Sequence, residues 1–591
     1  MTLNLAWRSV SFLAAATCIA SLAHGQDVDI DYIDAVDGDW RETVESAVPD
    51  FEPARSLLEA RRQARTAGQH VRDALNSEGY FDPEIEFAVT QDEPPRPRLR
   101  IKPGPRFAVG EVTLNYDGPP PAEEDQAALR DSLTISSGDL AIPARILEAE
   151  RNLLSTLRNL GYAEADTGPR DIIGDRDQAE IDVVYQLKTG PRIRFGEIIV
   201  PNDLRTSTDY IYSLAPLEAG ELYSPETLTS FNRRLAETRL FQRASARLDR
   251  TSGETDPETG DEIRNVVLQI EERPRHTGAV GARYSTADGY GLSAELTRRN
   301  LTRSGDFLET QLNLAELART LDITWRRPNE FGYGRGVVFN TSFSDDTTDA
   351  FDRQSVKVGA AIEIIESPQF AWTVGTTAEA LRETISMEER DLWLLSLNGG
   401  VRFDFSNSVL DPTRGWRADS TVTPTEVFGD ESTRYLRVSS QASAYLPFGE
   451  TDRFVLAGRV HLGSVLGAAI SDLPSEQRFY AGGGGSVRGY AYQAVGPRDV
   501  DDNPTGGRGL TEMSFEARWR GSGNLGAVAF VDTGSVSEAV LPTTDDLRTG
   551  VGLGVRYATP AGPIRFDIAT PLNRDDGDDP VQVYISIGQA F

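Results

Sequence analysis

The last eleven residues of the chain alternate between two kinds of side chain. From Val581 to Phe591, apolar residues dominate one face of an extended strand, and polar or small residues fill the other face. A strand of about ten residues with this alternation can cross a bilayer at a tilt, provided that it belongs to a closed barrel. The same segment also fits a half-buried strand of a soluble sandwich, so the rest of the chain must decide between the two folds.

Length, charge and hydropathy narrow the choice of fold. A chain of 591 residues is too long for one core, so several domains are expected. Its net charge of -31 argues against nucleic-acid binding, which requires an excess of Lys and Arg to neutralise phosphates. Beyond the N-terminal segment no stretch approaches the roughly 18 consecutive apolar residues of a transmembrane helix. A membrane-spanning part of this chain would therefore have to be a β-barrel.

The N-terminal residues have the pattern of a secretory signal peptide. Arg8 precedes an apolar run from Val10 to Leu22, and small residues follow that run. This order predicts a signal peptide over residues 1–25, with a buried N-terminal helix as the alternative. The only cysteine, Cys18, lies inside the run, so we expect the mature chain to have neither a disulfide nor a metal held by cysteine.

The sequence between about residues 27 and 274 repeats itself three times. Each copy contains a helical pattern that ends in an aromatic residue, is followed by β-prone stretches, and closes near a proline. Proline suits a crossing between units because it lacks an N–H donor and disfavours helix in the residue before it. Each unit is predicted to run strand, helix, helix, strand, strand. The predicted units are 27–104, 105–190 and 191–274.

From residue 275 onward the composition changes to short alternating runs separated by Asp, Asn, Gly and Ser. These runs are typical of barrel strands, and the long polar inserts between some of them suit outer loops. About 316 residues, at roughly 20 per strand and loop, predict about sixteen antiparallel strands. The predicted fold class is therefore α+β repeats followed by an all-β transmembrane barrel over residues 275–591.

Three motifs in the C-terminal half carry a family resemblance. The segment Gly482 to Tyr490 reads GGGGSVRGY, in which a glycine run permits close backbone approach and Arg488 needs a carboxylate partner if it is buried. The other two motifs are Asp404 to Trp416 and Gly552 to Leu572. Together with the three repeats, these motifs resemble the BamA and TamA superfamily of outer-membrane assembly factors, whose soluble repeats are POTRA domains.

The resemblance implies a cellular location and an ion-pair contact, called the clamp here, inside the barrel. Members of the superfamily lie in the outer membrane with their POTRA domains in the periplasm. Their sixth extracellular loop folds into the barrel, and its arginine pairs with acids on the inner wall. The matching residues here are Val487, Arg488, Gly489, Tyr490, Glu516 and Asp532.

A weak join between the first and last barrel strands is also expected. The first strand candidate, His276 to Ser285, is rich in Gly and Ala, and glycine interrupts the packing that stabilises a strand. In the superfamily this seam opens sideways, and a client strand pairs with the exposed edge. A cysteine pair at positions 281 and 585 is the corresponding cross-linking test. The predicted seam residues are Gly278, Gly281, Ile585, Ile587 and Phe591.

The resemblance implies an insertase that inserts autotransporter-type β-barrel clients into the outer membrane. Three soluble units point to the TamA-type branch, because BamA-like members carry more units and two-partner secretion transporters carry fewer. That branch implies a TamB-like partner anchored in the inner membrane. A secretion channel for one dedicated exoprotein, a structural tether, and a soluble array that is only a spacer are the alternatives.

An enzymatic function is not expected. The sequence has no G-x-S-x-G elbow, no H-E-x-x-H and no G-x-x-x-x-G-K-[ST], and its many acids fit solvated loops. We therefore predict no catalytic residue, no cofactor and no metal.

Overall fold

The structure is a computed structural model that describes residues 28–33, 40–250, 253–385, 388–429, 432–449, 452–521, 523–559, 562–575 and 578–587. The predicted signal peptide and Phe591 lie outside these ranges. Within the described ranges, no helix is both long enough and apolar enough to cross a membrane. Two compact units divide the chain. The first unit consists of the chain up to Glu197 together with the later segments Glu218–Thr227 and Asp249–Asn265. The second unit consists of Ile198–Leu217, Leu228–Leu248 and the chain from Val266 onward.

The first repeat packs two helices against a three-stranded sheet whose central strand pairs in parallel on one side and antiparallel on the other. The long second helix begins where the Ser56 side chain accepts a hydrogen bond from the backbone of Glu59 at 3.2 Å. Small residues on one face of that helix let it approach Leu99 and Ile101 on the central strand. The elements are β1 (Asp29–Tyr32), α1 (Trp40–Ala47), α2 (Leu57–Ser77), β2 (Glu84–Val89) and β3 (Pro97–Lys102).

The second repeat builds its core between one amphipathic helix and a sheet. Leu153 and Leu157 of that helix are buried in the same cluster as Tyr185, whose hydroxyl donates to the carbonyl of Ile146 at 2.8 Å. The helix starts at Pro143, because proline lacks only an N–H that the first turn leaves unpaired. The elements are β4 (Ala108–Tyr116), α3 (Glu123–Asp131), α4 (Pro143–Asn159), β5 (Asp166–Thr167), β6 (Asp171–Asp175) and β7 (Glu180–Lys188).

The third repeat follows the same plan. Its central strand pairs with neighbours on both sides, and two helices precede the antiparallel pair that completes the sheet. The elements are β8 (Ile193–Ile199), α5 (Thr208–Leu214), α6 (Pro225–Glu237), β9 (Phe241–Leu248), β10 (Glu254–Thr255) and β11 (Glu262–Glu272).

The glycine-aromatic signature of the repeats is a helix end. Gly79 and Gly161 adopt positive φ angles of 91° and 97°, just beyond the ends of α2 and α4. The tyrosine that follows Gly161 is buried, and its N–H donates back to Leu157 at 3.0 Å, which closes a Schellman turn. In the third copy Arg239 takes the left-handed position, with a φ of 57°. The sequence motif therefore recurs because each repeat places a left-handed residue just beyond this helix, and in the third repeat that residue is not glycine.

The C-terminal half forms a closed barrel of sixteen strands, which confirms the predicted fold class. Neighbouring strands of the barrel pair antiparallel, including the first with the last. The strands are β12 (His276–Ser285), β13 (Gly289–Arg299), β14 (Phe307–Ala315), β15 (Ala318–Arg327), β16 (Arg335–Thr347), β17 (Asp352–Ser367), β18 (Phe370–Ile385), β19 (Glu388–Asp404), β20 (Gly415–Phe428), β21 (Thr433–Phe448), β22 (Phe454–Leu466), β23 (Gly509–Arg520), β24 (Leu525–Ser537), β25 (Arg548–Tyr557), β26 (Ile564–Pro571) and β27 (Gln582–Ile587).

The direction of the side chains decides between a soluble sandwich and a membrane barrel. On β26, Ile564, Phe566 and Ile568 point outward and are 41–45% exposed, whereas Arg565 and Asp567 are buried inside. A soluble sandwich would bury the apolar set and expose the charges. This inverted pattern places an apolar surface toward lipid and a polar lumen inside, as a transmembrane barrel requires.

Candidate functional site

The connection between β22 and β23, residues 467–508, folds into the barrel lumen. It contains two short 3-10 turns, Ile470–Asp472 and Ser475–Gln477, and then the glycine run. We call this connection the lumenal loop. Its residues meet inward-pointing residues of the wall, so the loop lies inside the lumen.

Arg488 of the lumenal loop is almost fully buried, with 2% of its surface exposed. Its Nε and Nη2 lie 2.6 and 3.0 Å from the two carboxylate oxygens of Asp532, a bidentate pair. Nη2 is 2.8 Å from Glu516, and Nη1 is 3.3 Å from Asp567. The guanidinium carbon also lies 3.5 Å from the centre of the Phe530 ring. The structure thus places Glu516 and Asp532, both predicted partners, against Arg488.

Further arginines lie beside the carboxylates that surround Arg488 and form a small network with them. Arg518 lies 2.8 Å from Glu516, and Arg556 forms an ion pair with Asp567. Sequence reasoning missed Asp567 and both of these arginines. The alternation of β26 already put Asp567 on the inner face, so that residue could have been found. The network is nearly free of solvent, and a buried charge there is tolerated only because each carboxylate has a cationic partner.

The residues on either side of Arg488 fix the loop tip to the end of the barrel sequence. Val487 is fully buried in the lumen. Gly489 has a φ of 107° and donates its N–H to the hydroxyl of Tyr584 on β27 at 3.0 Å. The hydroxyl of Tyr490 lies 2.9 Å from the side-chain oxygen of Asn573. All four predicted tip residues therefore lie inside the barrel, and Tyr584 is a further partner that sequence reasoning missed.

A second anchor holds the base of the lumenal loop to the opposite part of the wall. Glu383 on β18 is completely buried, and its carboxylate accepts hydrogen bonds from the N–H and the hydroxyl of Ser475 at 2.9 and 2.5 Å. Arg390 on β19 lies 2.5 Å from the other oxygen of Glu383. The next loop residue, Glu476, forms an ion pair with Arg353 on β17. The loop thus reaches across the lumen from one wall to the other.

The Glu383→Ala variant is expected to free the base of the lumenal loop. The change leaves two buried donors of Ser475 and the charge of Arg390 without a carboxylate, at about 1.5–3 kcal/mol for each charged hydrogen bond. Hydrogen exchange of the amides in residues 470–478 should rise by about ten-fold or more, which corresponds to about 1.4 kcal/mol. Glu389→Ala removes an exposed ion pair with Arg382 and serves as the control. Unchanged exchange in Glu383→Ala would show that the anchor does not hold the loop.

A third tie joins the loop to strands β21 to β23. Ser486 donates a hydrogen bond to Glu512, and His461 lies 3.0 Å from Glu512 and 2.9 Å from the hydroxyl of Ser439. The order Ser439, His461, Glu512 is the spatial order of a hydrolase triad. His461 and Glu512 line a described lumenal cavity of about 630 Å³, and Ser439 is not among its lining residues. The chain of contacts serves as a tie between loop and wall.

The seam between the first and last barrel strands has a short ladder in the part of the chain that the structure describes. Within the described residues, β12 and β27 share two register pairs, Tyr284 with Ile585 and Ser285 with Tyr584. Between β12 and β13 there are ten such pairs. Just beyond the seam pairs, the N–H of Thr286 donates to the carbonyl of residue 583 at 3.0 Å. The described contacts between β12 and β27 are therefore confined to one end of β12.

The predicted seam residues lie at different distances from this short ladder. Ile585 belongs to it, whereas Ile587 pairs with β26. Gly278 and Gly281 lie in β12 and pair with β13, and Phe591 lies outside the described residues. The cysteine pair proposed at positions 281 and 585 does not fit the register, because Ile585 faces Tyr284. Strand register depends on the closing turns, which strand periodicity does not report.

A sixteen-stranded barrel with a clamped lumenal loop, preceded by α+β repeats, defines the class of POTRA-containing outer-membrane barrels. The model of the Omp85 superfamily domain matches residues 300–591. The model described as POTRA domain TamA domain 1 matches residues 32–103, and a POTRA model described as surface antigen variable number repeat matches residues 115–190. The chain belongs to the Omp85 superfamily and carries POTRA domains. It is an outer-membrane protein whose POTRA domains lie in the periplasm.

Similar proteins include two assembly factors and one solved structure. The chain is 25% identical over 520 residues to outer membrane protein assembly factor BamA of Nitratidesulfovibrio vulgaris, covering 83% of this chain and 63% of that protein. It is 20% identical over 587 residues to BamA of Neisseria meningitidis, covering 88% and 72%. The crystal structure of BamA from Haemophilus ducreyi lacking POTRA domains 1-3 matches with a TM-score of 0.67 and 17% identity, over 81% of this chain and 100% of that one. This structural match supports the fold.

Proposed function

We propose that this protein is an outer-membrane protein assembly factor that inserts β-barrel clients through a laterally opening seam. The observation that carries the proposal is the ladder between β12 and β27, which has two pairs among the described residues, against ten pairs between β12 and β13. From His276 to Arg283, β12 has no ladder partner on its seam side among the described residues. An unpaired strand edge is a template for another strand.

The apolar interior of the bilayer favours the pairing of a client strand with the seam. Each unpaired backbone group in lipid costs several kcal/mol, so an open edge of β12 gains from pairing with any strand that arrives. A client hairpin gains in the same way, because its own backbone groups become paired as it enters. Client insertion is then driven by strand pairing and by burial of the client's apolar face in lipid.

We extend the proposal to the TamA-type branch of the superfamily. The three predicted soluble units and the match of residues 32–103 to the TamA domain 1 model support this assignment. On this assignment the clients are autotransporter-type barrels, and the POTRA domains bind a TamB-like protein of the inner membrane. Co-purification of such a partner from membranes, lost on deletion of the first POTRA unit, is the expected result.

Reconstitution into liposomes with an unfolded autotransporter barrel tests the proposed activity. We expect the protein to accelerate client folding by about ten-fold or more, equivalent to about 1.4 kcal/mol off the barrier. The measurement is the appearance of the folded, protease-resistant client over time, with empty liposomes as the control. Ion conductance without faster folding would instead support a secretion channel. Neither conductance nor faster folding would support a tether.

A further inference from the structure

The lumenal loop contacts both sides of the seam, and the strand ladder alone does not reveal this. On the side of the last strand, Tyr584 is 2% exposed and stands opposite Ser285 in the seam. Its hydroxyl accepts the hydrogen bond from the N–H of Gly489 at 3.0 Å. The backbone of Tyr584 therefore takes part in the seam ladder, and its side-chain hydroxyl binds the loop.

On the side of the first strand, the contact is made by the turn between β12 and β13. Asp288 lies in this turn, and its N–H donates to the hydroxyl of Ser285 at 2.8 Å. A Cβ atom at Gly483 would lie 3.0 Å from one carboxylate oxygen of Asp288. A Cβ atom at Gly484 would lie 3.8 Å from the other oxygen. The glycine run thus lies directly against the turn.

Gly484 lies between the two sides of the seam. A Cβ atom there would come within 2.9 Å of the Tyr584 ring, closer than real side chains approach, while Asp288 limits the space on the other side. Its carbonyl also accepts a hydrogen bond from Arg565 on β26 at 3.3 Å. The next residue, Gly485, has open space where a Cβ atom would lie. Glycine is therefore required by the contact at 484 and not at 485.

We propose that Gly483, Gly484 and Gly489 of the lumenal loop form a staple that bridges the turn after β12 and the last strand, and so holds the seam closed. Asp288 and Tyr584 are then positioning residues that set how readily the seam opens. This inference deepens the proposed function and rests on it for its biological meaning. The staple adds loop contacts to a seam that has two ladder pairs among the described residues.

The staple also links the seam to the Arg488 clamp. Arg488 is held by Asp532 on β24, and the very next residue donates to Tyr584 on β27. A loop that leaves its carboxylates must therefore also leave the last strand. Loop release and seam opening become one coupled movement, in which the clamp controls the seam.

Cross-linking across the seam tests the staple without any client. Cysteines replace Tyr284 and Ile585, which face each other, in a chain whose Cys18 is also replaced. In Gly484→Ala and in Tyr584→Phe, the rate of disulfide formation between these cysteines should fall at least three-fold, because the seam spends more time open. Gly485→Ala is the matched control and should cross-link at the parent rate.

The outcomes separate the staple from the proposed function. Retained heat-modifiable migration shows that a variant barrel is folded, and Tyr584→Phe keeps the ring, so it serves if Gly484→Ala does not fold. Parent cross-linking rates in both variants would overturn the staple, whatever the insertion assay shows. Slower cross-linking in both variants would support the staple. Failure of the parent protein to insert clients would overturn the assembly function and leave that support for the staple unchanged.

Discussion

The Arg488→Ala variant is expected to lose most client insertion while its barrel stays folded. Three carboxylates, those of Glu516, Asp532 and Asp567, surround the guanidinium and are almost fully buried. Removing one partner of such a buried network costs about 3–5 kcal/mol, because charges are left unpaired. The strand ladders do not depend on this side chain, so the loss acts on docking of the loop. Insertion rates in liposomes should fall by at least about ten-fold.

Two further arginine variants show whether the clamp needs its geometry as well as its charge. Arg488→Lys keeps one positive charge, but an ammonium cannot make the two-pronged contact with Asp532, so partial loss is expected. Arg498→Ala is the control in the same loop, since its ion pair is with the exposed carboxylate of Asp502, and such a pair contributes about 0–1 kcal/mol. Insertion by Arg488→Ala at the parent rate would show that the arginine is only a loop charge.

Sequence alone predicts the architecture because the architecture depends on local periodicity. The strand count follows from the length of the C-terminal half, and the inward charges of β26 follow from strict alternation. The repeat signature at Gly161 and Tyr162 marks a helix end with a left-handed residue, so it survives in the structure as the same turn. In each case, the residues that carry the signal are close together in the chain.

Contacts between distant residues were predicted only where a family motif supplied them. The resemblance led to Glu516 and Asp532, but nothing local links Glu383 to Ser475, which lie 92 positions apart. The alternation of the last strand places Tyr584 on its inner face and says nothing of its partner. Its contact with Gly489 depends on how deeply the loop enters the lumen, and strand periodicity does not encode that depth.

Locking the seam with a disulfide is expected to stop client insertion. Tyr284→Cys and Ile585→Cys replace residues that face each other across β12 and β27, where facing Cα atoms lie within the range that a disulfide spans. If clients enter by separating these strands, the oxidised protein should insert clients at least about ten-fold more slowly, and a reductant should restore the rate. The measurement is client folding in liposomes before and after reduction.

A second disulfide distinguishes seam opening from general stiffening of the barrel. Leu553→Cys and Ile568→Cys face each other across β25 and β26, and both positions lie on the outer surface, like the seam pair. That ladder continues along the whole of β26, so its neighbours have no reason to separate during insertion. This locked control should retain the parent rate in both redox states. Equal rates for the oxidised and reduced seam variant would exclude lateral opening, because a covalently closed seam cannot admit a client strand between β12 and β27.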